Sequence, residues 1–285
     1  MIALCVGVAA GRAQGLQLSE LLYQPRSGEA EYVELYNGAD RAVDLAEYHI
    51  VRVVRDTLGA HYPLPPHSVA PGQYVVLTKS AASVAACFAR CNAGAIVECS
   101  LPPYPNDGGS VVLSRADGTI VERLDYRPDM HSRLLRERAG VSLERRRFDR
   151  PAGESGNWFS AASTAGYGTP GLANSQSAEA LVEETAFEFS STLLSPDGDG
   201  YQDELTVSYA VDDGGLAAVA DVYDAGGRKV RTLLNGDLLG THGSFVWDGR
   251  DDAGRRLATG HYVVTVTIYD RGGTRQTLKR AVAVL

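Results

Sequence analysis

Short runs of alternating apolar and polar residues, closed by tight-turn signals, recur along this 285-residue chain and leave little room for long helices. Glu31-Tyr-Val-Glu-Leu-Tyr36 alternates and stops at Asn37-Gly38, a pair that supplies the backbone of a two-residue hairpin. Pro71-Gly72 introduces Gln73–Thr78, and Asp224-Ala-Gly-Gly227 separates Ala218–Tyr223 from Lys229–Leu234. The same pattern predicts strands at 16–23, 48–54, 110–114, 119–126 and 141–146, then at 204–211, 245–248, 262–269 and 277–285. One short helix is expected, capped by Ser80 and running through an Ala-rich stretch to Ala89. Composition agrees, since 31 glycines serve the turns and 14 tyrosines against 6 phenylalanines, with frequent Val and Thr, suit strands.

Thr169-Pro-Gly-Leu-Ala-Asn-Ser175 is a cluster of breakers, and 176–184 is polar and acidic. Together they mark a boundary. The expected organisation is a β-sandwich over 16–175, a linker over 176–186 and a second sandwich over 187–285. About seven strands in the last hundred or so residues match an immunoglobulin-like arrangement. The fold class expected is all-β, with two Ig-like β-sandwich domains in tandem.

Residues 1–13 read as the end of a secretory signal peptide: Ile2–Ala10 is apolar, and Gly11 and Ala13 stand at −3 and −1 of a cleavage before Gln14. The competing reading is a buried first strand. Cys5 makes no lipoprotein box, because Leu4 precedes it. No later run approaches the roughly 18 apolar residues of a membrane span. The expected location is therefore secreted, periplasmic or on the outer cell surface. Cys87, Cys91 and Cys99 cluster within 13 residues, and export would let Cys91 pair with Cys87 or Cys99. Helical spacing would put Cys87 and Cys91 on one face. A three-cysteine metal site would lack the usual CxxC spacing.

Two segments carry candidate chemistry. Asp197-Gly-Asp-Gly-Tyr-Gln-Asp203 places carboxylates at positions 1, 3 and 7 of a Gly-rich loop, so Asp197, Asp199 and Asp203 are candidate Ca²⁺ ligands. The alternative is a solvated turn before a strand. Arg123–Arg150 holds nine arginines against five acids, a local net of +4. On an alternating strand Arg145 and Arg147 share a face, which makes them candidate anion-binding residues for phosphate backbones or acidic glycans. The alternative is a strand whose charges are paired by Glu137, Glu144 and Asp149. The formal net charge of −8 argues against a general nucleic-acid binder. The six histidines fall in no HExxH or comparable array, and there is neither a Gly-x-Ser-x-Gly elbow nor a phosphate loop. No catalytic residue is expected, and the chain reads as a non-enzyme; an unrecognised hydrolase ranks third among the readings.

Leu18-Ser-Glu-Leu-Leu-Tyr-Gln-Pro25, Glu31–Asn37 and Val43-Asp-Leu45 resemble the opening of a lamin tail domain. Gly140-Val-Ser-Leu-Glu-Arg145, Asn157-Trp158, Gly168-Thr-Pro-Gly171 and Asn174-Ser175 resemble the end of its bacterial version. Ser19 stands where Asn is usual, and Ala46-Glu47 replaces a Ser/Gly pair. The second half resembles the Ig-like domain of flagellar hook-capping proteins through Ser195–Gly200, Val222–Arg228, Trp247-Asp-Gly249 and Gly260-His-Tyr262. The pairing is similar to secreted proteins of the Bacteroidota, some of which end in a β domain that is a sorting signal for type IX secretion. The resemblance implies a surface structural or adhesion module whose partner is a cell-surface protein or glycan, with the second sandwich used in export or anchoring. The competing reading is an accessory binding protein for nucleic acid or acidic polysaccharide.

Overall fold

The computed structural model describes residues 15–88, 90–178, 185–211, 213–270, 272–273 and 275–285; the expected signal segment 1–13 lies outside them. The first unit contains β1 (Leu16–Leu22), β2 (Tyr32–Asn37), β3 (Val43–Asp44), β4 (Tyr48–Val54), β5 (Thr57–Pro63), β6 (Ser68–Val69), β7 (Tyr74–Thr78), α1 (Ala81–Cys87), β8 (Ile96–Glu98), β9 (Gly109–Arg115), β10 (Ile120–Tyr126), β11 (Leu143–Arg145) and β12 (Trp158–Ser160). The second contains β13 (Ala186–Phe189), β14 (Leu193–Leu194), β15 (Leu205–Ala210), β16 (Ala217–Asp224), β17 (Lys229–Leu238), β18 (His242–Trp247), β19 (Gly260–Tyr269) and β20 (Arg275–Val284). The all-β tandem sandwich is the fold observed.

In the first unit a six-stranded sheet, β12-β11-β1-β2-β7-β8, packs on a four-stranded one, β10-β9-β4-β5, with β3 and β6 paired beside them. Leu16, Leu18, Leu21, Val33, Leu35 and Leu77 from the larger sheet meet Ile50, Val111, Leu113 and Leu124 from the smaller in one apolar core. All seven residues of β1 are buried, which a strand achieves only when both of its faces are covered. Part of the cover is α1. Ser80 caps it by accepting from the Ser83 N–H, and Val84 and Phe88 pack on Leu22, Tyr32 and Val76. The rest is the closing segment 163–177, described below.

The helix stops at Cys87 because Phe88 is extended (φ −116°, ψ 113°), so Cys91 is not one turn further on. The thiols of Cys87, Cys91 and Cys99 are free. Cys87, the last residue of α1, and Cys91 pack against the small cluster of Leu22, Tyr32, Val76, Val84 and Phe88, whereas Cys99 packs against the main core. The disulfide expected from helical spacing is thus not formed in this structure.

In the second unit β13-β15-β18 packs on β14-β20-β19-β16-β17, burying Val207, Tyr209 and Phe245 against Ala218, Ala220, Val266 and Ile268. The expected linker over 176–186 needs correction at its start. Gln176 is fully buried; its Nε2 donates to the Leu239 carbonyl at 2.9 Å, and its Oε1 accepts from the Gly215 N–H at 3.0 Å. Thr241 N–H donates to the Ser175 carbonyl and Thr241 Oγ1 to the Ser177 carbonyl. Arg146 reaches across to Asp213 at 2.7 Å, and Thr164 and Tyr209 share a hydroxyl hydrogen bond at 2.9 Å. A Cβ on Gly240 would stand 2.6 Å from the Ser175 carbonyl oxygen, so only glycine permits this approach. Residues 179–184 lie outside the described ones.

Candidate functional site

Asp197, Asp199 and Asp203 sit on the loop that leads into β15, each with an oxygen within 4.8 Å of the others. Gly198 and Gly200 have φ of +88°, the left-handed backbone that curls the loop. Asp203 accepts from the Gly198 and Gly200 N–H groups at 2.6 and 2.7 Å, Asp197 from Asp199 N–H and Asp199 from Tyr201 N–H. The loop is thus a set of nested side-chain turns that also gathers three hard oxygen donors, the ligand type that Ca²⁺ takes. Asp197 and Asp199 are exposed.

Arg145 does not offer its charge to a ligand, which corrects the anion-site expectation. Its side chain is 1% exposed and forms a bidentate pair with Glu122 of β10 at 2.9 and 3.0 Å. It also donates to the carbonyls of Leu18, Arg147 and Arg150 and stacks on the Phe148 ring. A register shift in β1 between Leu18 and Glu20 accompanies the Leu18 carbonyl's bond to Arg145 and the Leu18 N–H bond to Glu122. The pair therefore ties β10 of one sheet to β1 and β11 of the other. Arg147 is half-buried and paired with Asp149 at 2.6 Å. The two arginines do not share a strand face, because β11 ends at Arg145 and the Arg147 carbonyl turns back to it.

Three buried glutamates, Glu20, Glu34 and Glu144, form a polar cluster in the first sandwich. Glu20 of β1 lies in register with Glu34 of β2 on one side and Glu144 of β11 on the other. The closing segment covers them. Glu20 accepts from Tyr32 Oη at 2.7 Å, from the Ser142 hydroxyl and from the Thr169 N–H. Glu34 accepts from the Gly171 N–H at 2.6 Å. Glu144 accepts from Thr169 Oγ1, Ser175 Oγ and the Gln176 N–H. Asn174 donates to the Ser19 and Arg145 carbonyls. Burial raises the carboxyl pKa of all three, opposed by hydrogen bonds; Glu34 stands well above the ordinary range, and Glu144, burdened also by the Glu20 charge, is pushed to about 8. Sequence reasoning singled out none of them as buried groups. The available signal was that Glu34, Glu144, Thr169, Gly171, Asn174 and Ser175 are motif residues with no apolar reason to recur together.

The fold defines a tandem β-sandwich protein whose halves are joined by a hydrogen-bonded seam. Residues 10–128 match the model of the Lamin Tail Domain, and residues 192–272 match that of the FlgD Ig-like domain. The chain thus joins a lamin tail domain to a FlgD Ig-like domain. The first sandwich continues past the matched residues, since β11 and β12 complete its larger sheet. No curated protein matches the chain. Among solved structures, FlgD from P. aeruginosa is 21% identical over 34% of this chain and 67% of its own length, with a TM-score of 0.25. PorZ, a surface component of the type IX secretion system of Porphyromonas gingivalis, is 16% identical over 64% of this chain and 16% of its own, with a TM-score of 0.24. Latent PorU from the same organism is 9% identical over 99% of this chain and 21% of its own, at 0.28. None of the three superposes closely enough to bear on the role of this chain.

Proposed function

We propose that the chain is a non-catalytic structural or adhesion module that works outside the cytoplasm, secreted, periplasmic or on the outer cell surface, with a protein or glycan as partner. The observation that carries this reading is the seam between the sandwiches. Gln176 is buried with both polar ends bound to the second unit, and Ser175, Ser177 and Arg146 add further bonds across the boundary. Such a seam holds two domains in one orientation, as a display or spacer module requires, whereas freely linked domains lack it. Among the described residues, no helix is long and apolar enough to cross a membrane. The second sandwich acts in export or anchoring, in line with a type IX sorting role. Ca²⁺ is the cofactor, held by Asp197, Asp199 and Asp203, whose oxygens gather as a hard cation needs.

Fractionation of cells that make the full chain, with protease shaving of intact cells, tests the location. The expected result is accumulation in the medium, the periplasm or a shaved surface fraction. Retention in the cytoplasm as folded protein would overturn the proposal.

A further inference from the structure

A cleft of about 750 Å³ opens beside the first sandwich, within the size range of small-molecule sites. Arg127, Arg133, Arg136 and Arg138 line it. Arg127 is paired with Asp129 at 3.1 Å, but Arg133, Arg136 and Arg138 are exposed and make no ion pair with any described residue. This cleft lies in the same arginine-rich stretch as Arg145 and Arg147, but its unpaired guanidinium groups are other ones.

The second observation is His131. It is 4% exposed, lines the cleft, and its Nε2 has no partner. Its Nδ1 lies 2.9 Å from Ser160 Oγ, which already accepts from the Ser132 N–H. The Ser160 hydroxyl can donate to that nitrogen or accept from it, so in either tautomer Nδ1 is engaged and Nε2 is the ring nitrogen left to meet a ligand. Burial and the nearby Arg138 charge push the His131 pKa down to about 4, so the ring is neutral at physiological pH. Gln24, also lining the cleft, has a buried Oε1 without a partner. The cleft thus holds one buried imidazole nitrogen, one buried amide acceptor and three guanidinium groups without an ion pair among the described residues. A buried polar atom needs a hydrogen-bond partner, so these two atoms are open to groups that enter the cleft, solvent or ligand.

We propose that this cleft binds an acidic sugar bearing a carboxylate, the carboxylate seated among Arg133, Arg136 and Arg138 and sugar hydroxyls meeting His131 Nε2 and Gln24 Oε1. The lining also includes Asp107, Asp129 and Glu137. These acids would repel a continuous phosphate backbone but accept hydrogen bonds from sugar hydroxyls. No exposed aromatic ring lines the cleft to stack a nucleobase. An isolated carboxylate on a polyhydroxylated ring satisfies both features, and Arg forks suit its planar geometry. The inference deepens the glycan-partner reading by naming a site and a chemistry, but it does not depend on where the chain is located.

The test is titration of the full chain with trigalacturonate by calorimetry, alongside neutral trigalactose and a single-stranded oligothymidylate. Trigalacturonate is expected to bind and neutral trigalactose not to bind. Arg133→Gln and Arg138→Gln, both at exposed positions, should each weaken trigalacturonate binding by about tenfold, the usual effect of one charged hydrogen bond. On binding, the His131 Nε2 resonance should shift in nitrogen NMR. No trigalacturonate binding, unchanged affinity in both variants, an unmoved His131 resonance, or equal binding of the oligothymidylate would each overturn the assignment. Localisation is read separately by fractionation, so failure here leaves that reading standing.

Discussion

Raising the pH perturbs the buried glutamates most directly. Burial raises the carboxyl pKa of Glu20, Glu34 and Glu144 above 4.5 in the folded chain, Glu144 to about 8. In the unfolded chain each would titrate near its ordinary value. At a pH below that value both states hold the proton, and the stabilisation is complete. Between 4.5 and about 8 the unfolded chain releases the Glu144 proton while the folded chain keeps it. Stability then falls by about 1.4 kcal/mol per pH unit for such a group, on the order of 5 kcal/mol for Glu144 by the end of that window. That is comparable with the whole stability of many domains, ~5–15 kcal/mol. His131 works in the opposite sense: its pKa is depressed from 6.5 to about 4, so its contribution is lost as pH falls through that interval.

Glu144→Gln isolates the effect, because it removes the titration and leaves His131 untouched. The Gln amide oxygen can accept from Ser175 Oγ and the Gln176 N–H, and its NH₂ can donate to Thr169 Oγ1, which then donates to Glu20. Urea unfolding of both proteins from about pH 5 to about 9 gives the slopes. The wild type should lose stability with rising pH, and the variant should lose it less steeply, by about 1.4 kcal/mol per unit up to pH 8. Equal slopes, or a wild type that gains stability across the range, would refute the reasoning.

Three further outcomes are expected. Millimolar Ca²⁺ should raise the melting temperature of the second sandwich in the full chain relative to chelator, and Asp199→Ala should abolish the shift; no shift in the wild type leaves the loop a plain turn. Arg145→Met should destabilise the first sandwich by about 3–5 kcal/mol in urea unfolding, because Glu122 is left nearly buried and unpaired; a near-neutral result would mean that water reaches the pair. Gly240→Val should break the seam at Ser175 and split thermal unfolding into two transitions, whereas unchanged cooperativity would show that the seam does not couple the units.

The strand pattern was readable where alternation in the sequence coincides with alternating burial, as in β15 and β19. It failed at β5 (Thr57–Pro63), where every residue but Tyr62 is exposed, so no buried face writes a period into the sequence. The preceding turn hides as well: Arg55 and Asp56 adopt φ of +48° and +61° without a glycine to advertise them. Ser80 was legible as a cap because capping is local chemistry, and its bond to Ser83 N–H is made within the same turn. The fate of Arg145 was not legible, since its partner Glu122 lies 23 residues earlier on the opposite sheet. The acidic loop was legible as a cluster because its carboxylates are gathered by neighbours in sequence.

The buried glutamates explain what the lamin-tail motifs do here. Glu34 belongs to the Glu-Tyr-Val-Glu-Leu-Tyr-Asn run, and Thr169, Gly171 and Asn174 belong to the closing run, yet 137 residues separate Glu34 from Gly171. They meet because β1, β2 and β11 are neighbours in one sheet and the closing segment crosses their outer face. An apolar cover would hold that face equally well by area alone, but it could slide. Buried carboxyl groups that each need particular hydrogen-bond partners accept one register of the segment and penalise the others, because a shifted segment would leave buried polar oxygens unbonded. The same segment runs on to Ser175, Gln176 and Ser177, whose bonds form the seam to the second sandwich. In this chain, then, the residues that fix the closing segment on the first sandwich also set where the second one docks.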